Sequence, residues 1–254
     1  MSETGLFRLR VSYGKRGRLR YLGHLEVLHT IERVVRRARL PYAVTQGFSP
    51  HMRVAFSSAL PVGTASGCEW FDLILTEYVP AQDALQALQA AAPSDLAAID
   101  AGYIDMRAPS LTAFIVRATY EARVQFVHDI DPDAFDRAIA TVRERNGIDY
   151  RRGRKTKRLD LDRTLCAVKT SWDGPRSAKI VLETRLDNDG AMRPELFLAA
   201  CDLLLAGEDY LGDPPRLDIG PYDFACIDRV VVERVSQEGE DADGHPIAPL
   251  AVRC

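Results

Sequence analysis

The strongest constraint on the fold is the order in which two hydrophobic periods follow one another along the chain. Phe7, Leu9, Val11 and Tyr13 alternate with Arg8, Arg10 and Ser12, the period-two signature of a strand with one apolar and one cationic face. After the polar turn Gly14-Lys15-Arg16-Gly17, residues 23–40 place Leu25, Leu28, Val35 and Ala38 at helical spacing, with Glu32, Arg33, Arg36 and Arg37 mostly on the other sides. Pro41 ends that helix. Met52, Val54 and Phe56 alternate into a second strand, a turn follows over 61–67, and 70–76 reads as an apolar third strand. Residues 81–92 predict an alanine-rich helix with Leu85 and Leu88 on one face. Pro93 stops it, and 96–106 supplies a fourth strand.

This β-α-β-β-α-β order is the split βαβ, or ferredoxin-like, plan, and the pattern recurs. Residues 114–126 read as a long strand, and Asp131 caps a helix with Pro132 in its first turn and Phe135, Ile139 and Val142 at i, i+4 and i+7. Two strands are expected over 159–170 and 179–186, the latter closed by the turn Asn188-Asp189-Gly190. A helix opens at Pro194 and runs through Phe197, Cys201 and Leu204, and 225–235 gives the last strand. The sequence thus predicts an α+β fold of two tandem ferredoxin-like units, residues 1–107 and 111–236. They are joined near Arg107-Ala108-Pro109-Ser110 and followed by a flexible acidic tail over 237–254.

Composition narrows the function classes. The 254 residues are 46% apolar, enough for a core in each unit. No long uncharged apolar run and no secretory leader is seen, so a cytoplasmic protein without a membrane partner is expected. The five cysteines are irregularly spaced with no C-x-x-C pair, which predicts buried free thiols and neither a metal nor another cofactor. Charge is distributed unevenly. Residues 1–60 hold eleven Lys/Arg against three acids, a net +8, and since the whole chain is −3 the remainder carries −11. The natural partner of such a segment is a polyanion, here RNA.

Lys15, Arg16, Arg18 and Arg20 cluster around a tight turn beside the first helix, with Arg8 and Arg10 expected in the same neighbourhood and Arg36 and Arg37 on the helix itself. Such cations provide sequence-independent contacts to phosphates, and aromatic rings such as Tyr21 and Phe48 add stacking on unpaired bases. The loop Gln46-Gly47-Phe48-Ser49-Pro50-His51 would offer Gln46, Phe48 and Ser49 to the same ligand. A second block, Arg151, Arg152, Arg154, Lys155, Lys157 and Arg158, packs six basic residues into eight positions of the acidic remainder. His24 and His51 are the candidate catalytic pair. Were they to converge, they could act as base and acid for attack of a ribose 2′-hydroxyl on its neighbouring phosphate, making the chain a metal-independent ribonuclease. A helix-capping His24 and a loop-bonding His51 account for the same residues. His29 lies five positions beyond His24, not the three or four that would put two ligands on one helical face. A third reading is a protein-interaction module whose basic face docks an acidic partner.

The runs Gly17-Arg18-Leu19-Arg20-Tyr21-Leu22-Gly23-His24-Leu25-Glu26, Glu32-Arg33-Val34-Val35-Arg36-Arg37-Ala38, Leu40-Pro41-Tyr42-Ala43, Gln46-Gly47-Phe48-Ser49-Pro50-His51 and Ala59-Leu60-Pro61-Val62-Gly63 together resemble a bacterial family of unknown function. Its members are named radical-SAM-associated proteins. The resemblance covers roughly residues 6 to 75, with Gly23 where the family usually has Ser, Glu26 where it usually has Asp, and Met52 where Pro is common. It implies a companion to radical-SAM chemistry on RNA, and with the basic patches the leading expectation is an RNA-binding accessory protein that presents tRNA or rRNA to a separately encoded radical-SAM modification enzyme. It implies no catalytic residues.

Overall fold

The strand that the first alternation predicts is β1 (Phe7–Lys15), and it is central to its unit. In this computed structural model, which describes residues 5–186, 192–220 and 222–251, the chain divides into residues 5–116 with 234–251 and residues 117–233. β1 pairs antiparallel with β3 (Ala65–Leu75) on one side and with β4 (Ala98–Ile104) on the other. The short β2 (Val54–Phe56) lies antiparallel on β3. β1 and β2 therefore run parallel with β3 inserted between them, the arrangement a split βαβ unit requires. The crossovers are α1 (His24–Arg37) and α2 (Ala81–Ala91).

Leu9, Val11 and Tyr13 of β1 and Phe71, Leu73 and Leu75 of β3 meet Val27, Ile31, Val34 and Val35 of α1 and Leu85 and Leu88 of α2 in one buried cluster. Full burial of an aliphatic or aromatic side chain is worth about 1.5–3 kcal/mol, so this layer is the main source of the unit's stability. The helix stripe is displaced from the predicted one. Leu25, expected inside, is 67% exposed, because the buried stripe is Val27, Ile31, Val34 and Val35 and Leu25 lies about 200° around the helix from Val27.

The opposite face of this sheet is covered as well. Arg10 and Asp72 are each only 2% exposed. The cover comes from residues 105–110, from α3 (Leu111–Phe114) and from the C-terminal segment, where the Pro249 carbonyl accepts from Arg10 Nη1 at 3.0 Å. The segment predicted as a flexible tail is thus structured over much of its length. Residues 237–240 finish β11 (Ile227–Glu240), Gly239 and Glu240 pair with β12 (Pro246–Ile247), and Leu250 is buried. The strand predicted over 225–235 thus continues to Glu240, with Val232, Arg234, Gln237 and Gly239 buried along it.

The second unit repeats the order with one insertion. β5 (Arg117–Phe126), α4 (Pro132–Glu144), β8 (Leu165–Trp172), β9 (Ser177–Arg185), α6 (Pro194–Leu205) and the first half of β11 build it, with strands in the order β11-β5-β9-β8. Asp131 caps α4 as its sequence predicts, accepting from the Asp133 amide at 3.2 Å. Between α4 and β8 the chain inserts a hairpin, β6 (Gly147–Arg152) and β7 (Lys155–Asp160), and the turn α5 (Leu161–Thr164). The single strand expected over 159–170 is therefore divided among three elements. A two-residue strand, β10 (Leu217–Asp218), pairs parallel with β6. The predicted turn Asn188-Asp189-Gly190 lies outside the described residues.

Candidate functional site

The tight turn after β1 is built on Gly17. Its φ of +49° and a neighbouring Asp95 carboxylate that a Cβ would strike make glycine the residue that fits. Backbone bonds from Gly14 to Ala97 O (3.1 Å) and from Arg16 to Asp95 O (2.9 Å) fix the turn on the segment before β4. The chain then makes a 3-10 helix over Gly17–Tyr21, which displays Arg16 and Arg18 to solvent. Neither has an ion-pair partner among the described residues. Arg20 is half-buried, its guanidinium 4.9 Å from the Tyr21 ring centroid and 2.8 Å from the Tyr21 hydroxyl. Tyr21 itself is exposed, as are Leu25 and Val62.

Three residues expected at this corner point elsewhere. Arg8 and Arg10 are held by Asp72, at 2.6 Å and 2.7 Å, and are not available to a ligand. Lys15 is 2% exposed and lines a cavity of about 10 Å³ with Tyr13, His24, Ser57, Ser58 and Glu69. Lys15 was expected on the surface because the sequence continues a run of cations, but a register shift in β1 between Tyr13 and Lys15 accompanies its turn inward. Burial lowers the Lys15 pKa, outweighing the nearby Glu69 carboxylate; Arg234 lowers it further and Glu26 opposes. Glu69 is itself engaged by Arg234, with Nε 2.9 Å from Oε1. Burial also pushes the Tyr13 hydroxyl well above the ordinary tyrosine value, and Glu69 adds to the shift.

The two histidines take different surroundings. His24 is the first residue of α1 and sets its ring edge-on to Phe56 at 5.7 Å, in the cavity that holds Lys15. The helix cap beside it comes from Glu26, whose Oε2 accepts from the Gly23 amide at 2.7 Å. His51 is not among that cavity's lining residues; its Nε2 lies 3.4 Å from Ser49 Oγ. A cavity of 10 Å³ holds about one water and leaves no room for a nucleotide. The loop itself is closed by Thr45, whose amide donates to His51 O at 2.8 Å and whose hydroxyl accepts from the His51 amide at 3.0 Å. Gln46, Phe48 and Ser49 are exposed, Phe48 completely. At the far end of α1, Arg36 and Arg37 are exposed, and Arg36 lies 3.8 Å from Glu32 and 6.0 Å from the Tyr42 ring centroid.

In the second unit the six-cation block forms the inserted hairpin. Arg151 pairs with Asp218 at 2.8 Å and Arg158 with Asp149 at 3.2 Å. Arg152, Arg154, Lys155 and Lys157 are exposed and have no ion-pair partner among the described residues. Cys68, Cys166, Cys201 and Cys226 are free thiols, with Cys166 exposed against expectation, and Cys254 lies outside the described residues. The carboxylates of Asp241 and Asp243 and a ring nitrogen of His245 lie within 4.8 Å of one another on an exposed turn, where Asp241 already accepts from the amides of Asp243 and His245. No described helix is long and apolar enough to cross a membrane.

Residues 8–194 match the model of a family described as "Uncharacterized protein conserved in bacteria (DUF2344)". No curated protein matches the chain. Solved structures are similar at low identity, two of them as follows. A chain of a Cbf5-Nop10-Gar1 complex is 10% identical with a TM-score of 0.48, over 92% of this chain and 50% of that one. An unknown protein from Galdieria sulphuraria is 9% identical with a TM-score of 0.24, over 91% of this chain and 99% of that one. This chain spans about half the length of the first.

Proposed function

The chain belongs to this conserved bacterial family, and we propose that it is an RNA-binding accessory protein that presents a folded RNA, a tRNA or a segment of rRNA, to a separate modifying enzyme. The observation that carries the reading is the Gly17 corner. Arg16 and Arg18, without an ion-pair partner among the described residues, stand beside the exposed Tyr21, while Arg8 and Arg10 of β1 are neutralised by Asp72. Cations free of carboxylate partners release counterions when they meet phosphates, and an exposed ring adds stacking. The exposed loop of Gln46, Phe48 and Ser49 supplies a further aromatic contact. Resemblance to radical-SAM-associated proteins suggests the chemistry of the partner enzyme.

Binding is favoured over hydrolysis because the two histidines do not share a site: His51 is not among the residues that line the cavity at His24. Incubating tRNA and rRNA with the protein in EDTA separates the two activities. The proposal expects a salt-sensitive complex with intact RNA. Metal-independent cleavage that disappears in His51→Ala would overturn it in favour of a ribonuclease.

A further inference from the structure

The hairpin β6–β7 divides its charges between two faces. Residues directly opposite in an antiparallel pair share a face, and successive residues alternate. The register Arg152↔Lys155 and Tyr150↔Lys157 therefore puts Arg152, Lys155 and Lys157 on one face, above the buried pair Ile148 and Leu159. Arg151↔Thr156 and Asp149↔Arg158 occupy the other. That second face is self-neutralised, since Arg151 is held by Asp218 and Arg158 by both oxygens of Asp149. The first face has three exposed cations and no carboxylate, and a further exposed cation, Arg154, stands in the turn after Gly153 with φ +61°.

From this asymmetry we infer that the Arg152, Lys155 and Lys157 face is a phosphate-binding ribbon for a double-helical segment of RNA. The inference rests on the RNA-binding reading above and adds the element and the form of RNA it grips. Charge complementarity selects a polyanion, because a cation triad with no acid on its own face has no internal partner. Side-chain type selects the backbone of a duplex over an unpaired strand. Single-strand sites add aromatic platforms for bases, whereas Tyr150, the aromatic residue of this face, is half-buried at its base. Duplex RNA is recognised mainly by shape and through its phosphates and 2′-hydroxyls, which suits a ribbon of long flexible cations.

The test uses the full chain and two probes of equal length, a double-stranded and a single-stranded RNA, titrated at several salt concentrations. Arg152→Ala with Lys155→Ala and Lys157→Ala should make the slope of log K against log salt shallower by about 2.7 on the duplex, at about 0.9 per phosphate contact. Arg151→Ala with Arg158→Ala should change it by less than about 1, since those charges are already neutralised. Equal effects of the two sets, no effect of the triple variant, or a larger loss on the single strand would each overturn the inference. Wild-type protein that binds neither RNA would overturn the RNA-binding reading itself. Wild-type binding with an unchanged triple variant would remove only the ribbon.

Discussion

Arg10 and Asp72 face one another across β1 and β3, Nε to Oδ1 at 2.7 Å, and both are almost wholly withdrawn from water. The same carboxylate accepts from Arg8 Nη2 at 2.6 Å, so one acid holds two arginines. Removing one member of a buried pair leaves an uncompensated charge and costs roughly 3–5 kcal/mol. Asp72→Ala should lose about that much stability in urea unfolding while leaving the salt slope of RNA binding unchanged. A loss near zero would mean that the pair is solvated.

Lys15 should set a pH dependence of stability. Its pKa in the folded chain lies below the ordinary 10.5, chiefly through burial, so between the two values the unfolded chain binds more protons and stability rises with pH. Tyr13, with a pKa raised above 10.0, acts in the opposite sense only above that pH. Below pH 10, then, the stability difference between Lys15→Met and wild type should shrink as pH rises, because the wild type sheds the cost of a buried ammonium. Urea midpoints for the two proteins between pH 7 and about 9.5 measure this. A difference that grows with pH would contradict a lowered lysine.

Gly17→Ala should destabilise the chain by about 1 kcal/mol or more, since alanine resists a positive φ and its Cβ would meet Asp95. Adding Asp95→Ala should restore only the steric part. Thermal unfolding of the single and double variants distinguishes the backbone contribution from the clash, and full recovery in the double variant would show that φ imposes no cost.

Phe48→Ala should leave stability within about 0.5 kcal/mol, because the ring is fully exposed. It should weaken binding of an RNA with an unpaired loop by about 1–3 kcal/mol if a base stacks on it. Fluorescence titration of the variant provides the comparison, and unchanged affinity would remove Phe48 from the interface.

The element order of both units was legible because each core face carries a local period: Leu9, Val11 and Tyr13 in β1, and Phe135, Ile139 and Val142 in α4. What covers a face was not. The partners of Arg10 lie 62 residues away at Asp72 and 239 away at Pro249, distances over which a local pattern carries no information. The inserted hairpin was read as a charge block, since only Ile148, Tyr150 and Leu159 interrupt its cations with an apolar side on alternate positions. Arg16, Arg18 and the exposed loop were visible as candidate contacts. The inward turn of Lys15 was not, because it accompanies a register shift in the strand.

The central claim, that the Gly17 corner meets RNA phosphates, is tested most directly by the salt dependence of tRNA binding for wild type and for Arg16→Ala with Arg18→Ala. Two lost phosphate contacts should make the slope of log K against log salt shallower by about 1.8, with the fold intact by circular dichroism. A slope identical to that of the wild type would contradict the account.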